Sequence, residues 1–93
     1  MVEIRKKVRK EYFDMILSGK KKVELRLADF DIAEGDTFIL EEYLYDEQGN
    51  REPSGRELAT EVTYVIKTKD YKMSSQEDIE KFGFQAIQFE IKK

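Results

Sequence analysis

Lys20, Lys21 and Lys22 follow a glycine, and Glu24 and Arg26 follow them at two-residue spacing, within the run SGKKKVELR at residues 18–26. Cations beside a carboxylate have two chemical uses. They grip an anion such as a phosphate, or they stabilise an oxyanion while the carboxylate serves as general base toward water. A carboxylate flanked by cations is held in its charged form, so the grip comes first and the base second. Lys22, Glu24 and Arg26 share one side of an extended strand, opposite Val23, Leu25 and Leu27. Strict alternation puts Lys21 on the Val23 side, so a shared site requires Lys21 to stand outside the regular strand. A turn at Gly19 allows that. Arg56, after Gly55, is a second candidate phosphate contact. Tyr43, Tyr64 and Tyr71 are candidate rings for base stacking. Tyr43 and Tyr64 read first as packing residues, whereas Tyr71 stands in a polar stretch.

Each of these residues also has a plainer reading. The lysines suit a solvated turn after a helix end, where cations complement the helix dipole. Glu24 and Arg26 suit an ion-pair ladder on an exposed strand face, worth under about 1 kcal/mol. Arg56 suits a solvated loop.

The composition removes whole classes of chemistry. The chain has 93 residues and neither cysteine nor histidine. Disulfides and disulfide-linked partners, thiolate nucleophiles, zinc centres and Ser-His-Asp triads are therefore excluded. Carboxylate-only Mg²⁺ or Ca²⁺ sites stay open to this composition, but Asp29, Phe30 and Asp31 do not continue into a calcium loop; the expectation is no metal and no cofactor. No apolar run approaches the roughly 18 residues of a membrane span, and the first residues lack a signal-peptide core. A cytoplasmic protein that keeps off membranes is expected. Charged residues make up 40% of the chain, rich in Lys and Glu, a mix that fits the surface ion-pair networks of thermophiles. The net charge of −3 conceals an asymmetry: residues 1–26 carry 9 Lys and Arg against 4 Asp and Glu, leaving −8 on residues 27–93. An anionic ligand is drawn to the first quarter if those residues cluster in space.

The elements that must position these groups follow from periodicity. Val2, Ile4 and Val8 alternate with charged residues, with Lys6 interrupting the apolar side, as in a first strand. Phe13, Ile16 and Leu17 mark one face of a helix over about 11–18, closed by Gly19. A strand over 21–27 follows, then an acidic loop and a turn at Gly35 and Asp36. The stretch 37–45 is aromatic and aliphatic on both sides, with Glu41 and Glu42 breaking the alternation as a bulge or two-sided burial would. Residues 46–56 read as a long hairpin loop. Leu58, Thr60, Val62, Tyr64 and Ile66 then share one face of a strand. A capping box at Ser74 or Ser75 opens a short second helix, and 84–91 is a closing strand. At this length the chain is one domain, residues 1–93. Five short strands with two helices describe a small α+β, barrel-like fold.

In this order the features resemble the ASCH domains of the PUA-like superfamily, particularly the small stand-alone proteins. The likeness rests on YFDMILSGKKKVELR, then Asp29 and Phe30, then GDTFILEEY, the SGR at 54–56, VTYV at 62–65 and a closing strand. It implies a PUA-like β-barrel of about five to six strands with two short flanking helices. It also implies a cleft beside the motif where lysine, glutamate and arginine face RNA or a nucleotide-like ligand; with the residues read above, the expected ligand contacts are Lys20, Lys21, Lys22, Glu24, Arg26, Arg56 and Tyr71. One branch of that family hydrolyses the acetyl amide of an acetylated cytidine. That branch is similar to this chain in Lys21 but carries a threonine where this chain has Glu24. A hydrolase with Lys21 and Glu24 as its catalytic pair is therefore the second expectation, behind a binding module.

Overall fold

A computed structural model describes residues 1–68 and 83–92. The element order is β1 (Glu3–Arg9), α1 (Lys10–Leu17), β2 (Val23–Leu27), β3 (Thr37–Tyr45), β4 (Arg51–Lys67) and β5 (Phe84–Ile91). The second helix expected after Ser74, and Tyr71 with it, lie outside the described residues.

The five strands form one sheet in the order β1-β3-β4-β5-β2, with β1 parallel to β3 and every other pair antiparallel. The expected barrel is not formed, since β1 pairs only with β3 and β2 only with β5. The reason lies at the seam between these edges. Arg26 on β2 donates from Nη2 to the carbonyl of Lys7 on β1 at 2.6 Å, taking an acceptor that a closing ladder would need. The sheet thus curls until its edges lie within one arginine's reach, and a side chain spans the gap.

The core fills the concave side. Phe13 and Ile16 of α1 pack with Val8, Ile32, Phe38, Leu40, Val62, Ile87 and Phe89, all buried. Phe38 and Phe89 meet edge to face at 6.2 Å between ring centres. Lys6, which interrupts the apolar side of β1, lies 4.1 Å over the Phe30 ring, so its cation faces an aromatic surface. Asp36 anchors the start of the parallel pair, accepting from the backbone N–H of Val2 at 3.1 Å and of Ala33 at 2.9 Å. These two bonds to its charged form hold the Asp36 carboxyl below its ordinary range.

Two further expectations are corrected, and one open alternative is resolved. The hairpin turn is confined to residues 46–50, where Asp46 Oδ1 accepts from Gln48 and Asn50, and residues 51–56 belong to β4. β4 reaches back because it bulges: Glu41 faces Glu57 and Tyr43 faces Pro53, so residues 54–56 stand opposite Glu42 alone. Glu42 marks the irregularity foreseen on β3, and Phe38, Ile39 and Leu40 are also buried in succession, so both alternatives for that strand are realised. Finally, the single face read from Leu58 to Ile66 changes phase at Thr63, the unpaired residue between the Val62–Phe89 and Tyr64–Gln88 pairs. Tyr64 and Ile66 are consequently exposed.

Candidate functional site

Gly19 creates the site by ending α1. At φ 82° it occupies the left-handed region, and the N–H groups of Gly19, Lys20 and Lys21 turn back onto the carbonyls of Ile16 and Met15. The chain enters β2 only at Val23, which leaves Lys21 outside the strand. Lys21 is therefore free of the alternation that would have pointed it away from Glu24.

The strand itself is charged inward. Val23, Leu25 and Leu27 are exposed on the outer face, whereas Glu24 is only 6% exposed. This is the reverse of a ladder on a solvated face. The burial is tolerable because both carboxylate oxygens are engaged: Lys21 Nζ lies 2.8 Å from Oε1, and Arg26 Nε lies 2.7 Å from Oε2. Lys21 also donates to the Val23 carbonyl and lies 5.6 Å over the Tyr12 ring. Arg26 uses its other nitrogen on Lys7, so one guanidinium joins the carboxylate to the opposite edge of the sheet.

Around this clasp is a cleft of about 420 Å³, lined by Lys7, Val8, Arg9, Tyr12, Lys21, Glu24, Leu25, Arg26 and Tyr43. It lies on the β1–β2 seam, where an open sheet leaves a hollow that a closed barrel would fill. Its walls offer cations for a phosphate, aromatic rings for a planar group, and a carboxylate with lone pairs left to accept from ligand N–H groups. Among the described residues no three His, Cys, Asp or Glu side chains are grouped to hold a metal ion.

The structure gathers some expected residues and separates others. Lys21, Glu24 and Arg26 meet in the cleft. Lys20 is exposed and does not line it, and Lys22 faces a neighbouring hollow of about 310 Å³ with Gly19, Phe89 and Ile91. Arg56 lies elsewhere, committed to other partners. Its Nε and Nη2 both bond the buried Glu42, at 2.9 and 2.5 Å, Nη2 reaches Asp14 at 2.9 Å, and its guanidinium covers the Phe13 ring at 4.7 Å. The arginine's bonds hold the Glu42 carboxyl below its ordinary range, as do those of Lys10 and Arg56 on Asp14, and these carboxylates in turn raise Arg56. It is a clamp between β3, β4 and α1.

Nothing in the sequence singles out Lys7, Arg9 or Tyr12, and Tyr43 reads there first as a packing residue. The basic excess of residues 1–26 was the available signal, but only the position of β1 at the sheet edge brings Lys7 and Arg9 opposite Glu24.

Comparison with known proteins agrees with the fold and leaves the chemistry open. The chain is 37% identical over 65 residues to an uncharacterised 12.9 kDa protein encoded in the GpA 3′ region of Escherichia phage P2, a match covering 70% of this chain. It spans about 55% of that relative's length. The crystal structure of hypothetical protein PH0355 matches over 99% of this chain and 100% of its own, with a TM-score of 0.63 and 22% identity, a likeness of fold. No helix among the described residues is long and apolar enough to cross a membrane. A family model matches residues 5–79, most of the chain and all of the clasp, and the protein accordingly belongs to the family described as domain of unknown function DUF3850.

Proposed function

We propose that this domain is an ASCH-type binding module that holds RNA or a nucleotide in the seam cleft. One observation carries the reading: a buried glutamate clasped by Lys21 and Arg26, inside a hollow whose rim supplies Lys7, Arg9, Tyr12 and Tyr43. The volume of about 420 Å³ lies in the range of small-ligand sites, and cations with aromatic rings are what a phosphate with an attached base requires. The ordered likeness to ASCH domains supports the same reading.

The hydrolase reading has weaker support. Both oxygens of Glu24 are occupied by cations, and the threonine of the amide-cleaving branch is absent.

Fluorescence anisotropy with a labelled single-stranded RNA tests the proposal. Affinity is expected to fall as salt rises, with a log-log slope of about −2 for three phosphate contacts. The double variant Lys21→Ala with Arg26→Ala is expected to lose about tenfold or more in affinity. Affinity indifferent to both salt and the double variant sinks the proposal. Incubation with N4-acetylcytidine, followed by chromatography, is expected to give no product above a Glu24→Gln control.

A further inference from the structure

The outer face of β1, β3 and the first residues of β4 carries cations and tyrosines in alternation. Register places Arg9 beside Tyr43, Tyr43 beside Pro53, and Tyr45 beside Arg51. The rings of Tyr43 and Tyr45 meet edge to face, 5.6 Å apart at 87°. Arg51 lies 5.3 Å over Tyr43 and Arg9 lies 5.9 Å over Tyr45. Neither ring belongs to the core cluster, and Tyr45 is 55% exposed. Core packing therefore does not explain two adjacent tyrosines here.

This surface continues the cleft. A smaller hollow of about 50 Å³, lined by Lys7, Tyr43, Arg51 and Pro53 together with Glu41, Glu42 and Glu52, shares Lys7 and Tyr43 with the seam cleft. Of the three carboxylates that line it, Glu42 is committed to Arg56, Glu41 approaches Arg5 at 3.6 Å, and Glu52, in register with Leu44 rather than with either tyrosine, has no ion pair among the described residues. Arg9 is shared with Glu11 at 3.2 Å, whereas Lys7 and Arg51 have no ion pair among the described residues. The result is a path from Glu24 over Lys7 and Tyr43 to Tyr45 and Arg51, with free cations beside aromatic faces along its length.

Alternating cations and rings suit a chain of nucleotides, because successive phosphates need positive charge and successive bases need flat apolar partners. A free mononucleotide uses only the cleft. We propose that the cleft is the first subsite of a track, and that its ligand is a single-stranded polynucleotide whose neighbouring base stacks on the Tyr43–Tyr45 pair beside Arg51. This rests on the nucleotide-binding reading of the cleft and extends it by naming the polymer and the second subsite. In a duplex the bases stack on one another, which buries their faces, and pairing stiffens the strand, so a duplex is a poor fit to the track.

The test compares a labelled eight-nucleotide single-stranded RNA, the same RNA as a duplex, and a labelled nucleoside monophosphate. The wild-type protein is expected to bind the single strand at least tenfold more tightly than the monophosphate or the duplex. Tyr45→Ala and Arg51→Ala are each expected to weaken the single strand by about tenfold, with monophosphate affinity unchanged within twofold, and Tyr45→Phe is expected to restore single-strand affinity. Thermal melts of these variants separate lost contacts from lost folding. Wild-type single-strand affinity equal to that of the monophosphate, or unchanged in Tyr45→Ala, overturns the track and leaves the cleft reading standing. Binding of neither RNA nor monophosphate overturns both.

Discussion

Gly19 governs the site although it touches no ligand group. Its positive φ is the one backbone feature that releases Lys21 from strand alternation, and a β-carbon there would meet no atom within 4 Å. Gly19→Ala therefore tests conformation without a steric clash. The cost of a left-handed alanine is about 1 kcal/mol. Unfolding in urea is expected to show that loss, together with weaker RNA binding as Lys21 shifts from Glu24. An unchanged urea midpoint would argue that the loop keeps its course without glycine. The Lys21, Glu24 and Arg26 spacing was legible in the sequence, and so was the condition that Lys21 leave the strand. That Glu24 is buried was not, because the partners that make its burial tolerable come from a turn and from a bond to Lys7, 19 residues from Arg26.

At the level of elements, β4 is where local reading fell short. Glycine, proline and asparagine in residues 46–56 signal a loop, and the turn at 46–50 obeys them. Beyond it Gly55, at φ 91°, serves a bulge inside a strand, which swings Arg56 under α1 to Glu42 and Asp14. The clamp makes stability depend on acid. Glu42 and Asp14 have folded-state pKa values below their ordinary 4.5 and 3.8, so the unfolded chain binds more protons through that range. Their contribution is present above those values and is lost as pH falls through the lower folded-state values. Thermal melts are expected to show a falling Tm below about pH 4. Arg56→Ala is expected to lower Tm by several degrees at pH 7, with a shallower decline in acid. Parallel pH profiles for the two proteins would remove the clamp from the account.

Over the whole molecule, the decisive feature is an open sheet whose edges nearly meet. Arg26 fills the interval with a fork that bonds Glu24 and the Lys7 carbonyl together. Lysine keeps the charge but lacks the fork, so Arg26→Lys holds one partner at a time. Hydrogen exchange is expected to quicken about tenfold in β2, in keeping with one lost charge-assisted hydrogen bond, with β3 and β4 unchanged. Unaltered exchange in β2 would mean that the seam is held by something else.

Local pattern along the chain is enough to locate most elements and what punctuates them. β5 falls where alternation places it and β3 where a run of aromatic and aliphatic residues does, α1 ends at its glycine, and the Lys21, Glu24 and Arg26 spacing stands in the primary structure. These are local properties, set by side-chain size, period and backbone freedom within a few residues. Which side of β2 faces inward, where the sheet stops short of a barrel, and the placing of Lys7, Arg9 and Tyr43 beside Glu24 all come from long-range packing. Period two has no sign: it states that Glu24 and Leu25 point apart, and leaves open which of them is buried. The choice falls to contacts distant in sequence, where Lys21, Arg26 and the edge of β1 compensate a buried carboxylate and leave Val23, Leu25 and Leu27 in solvent.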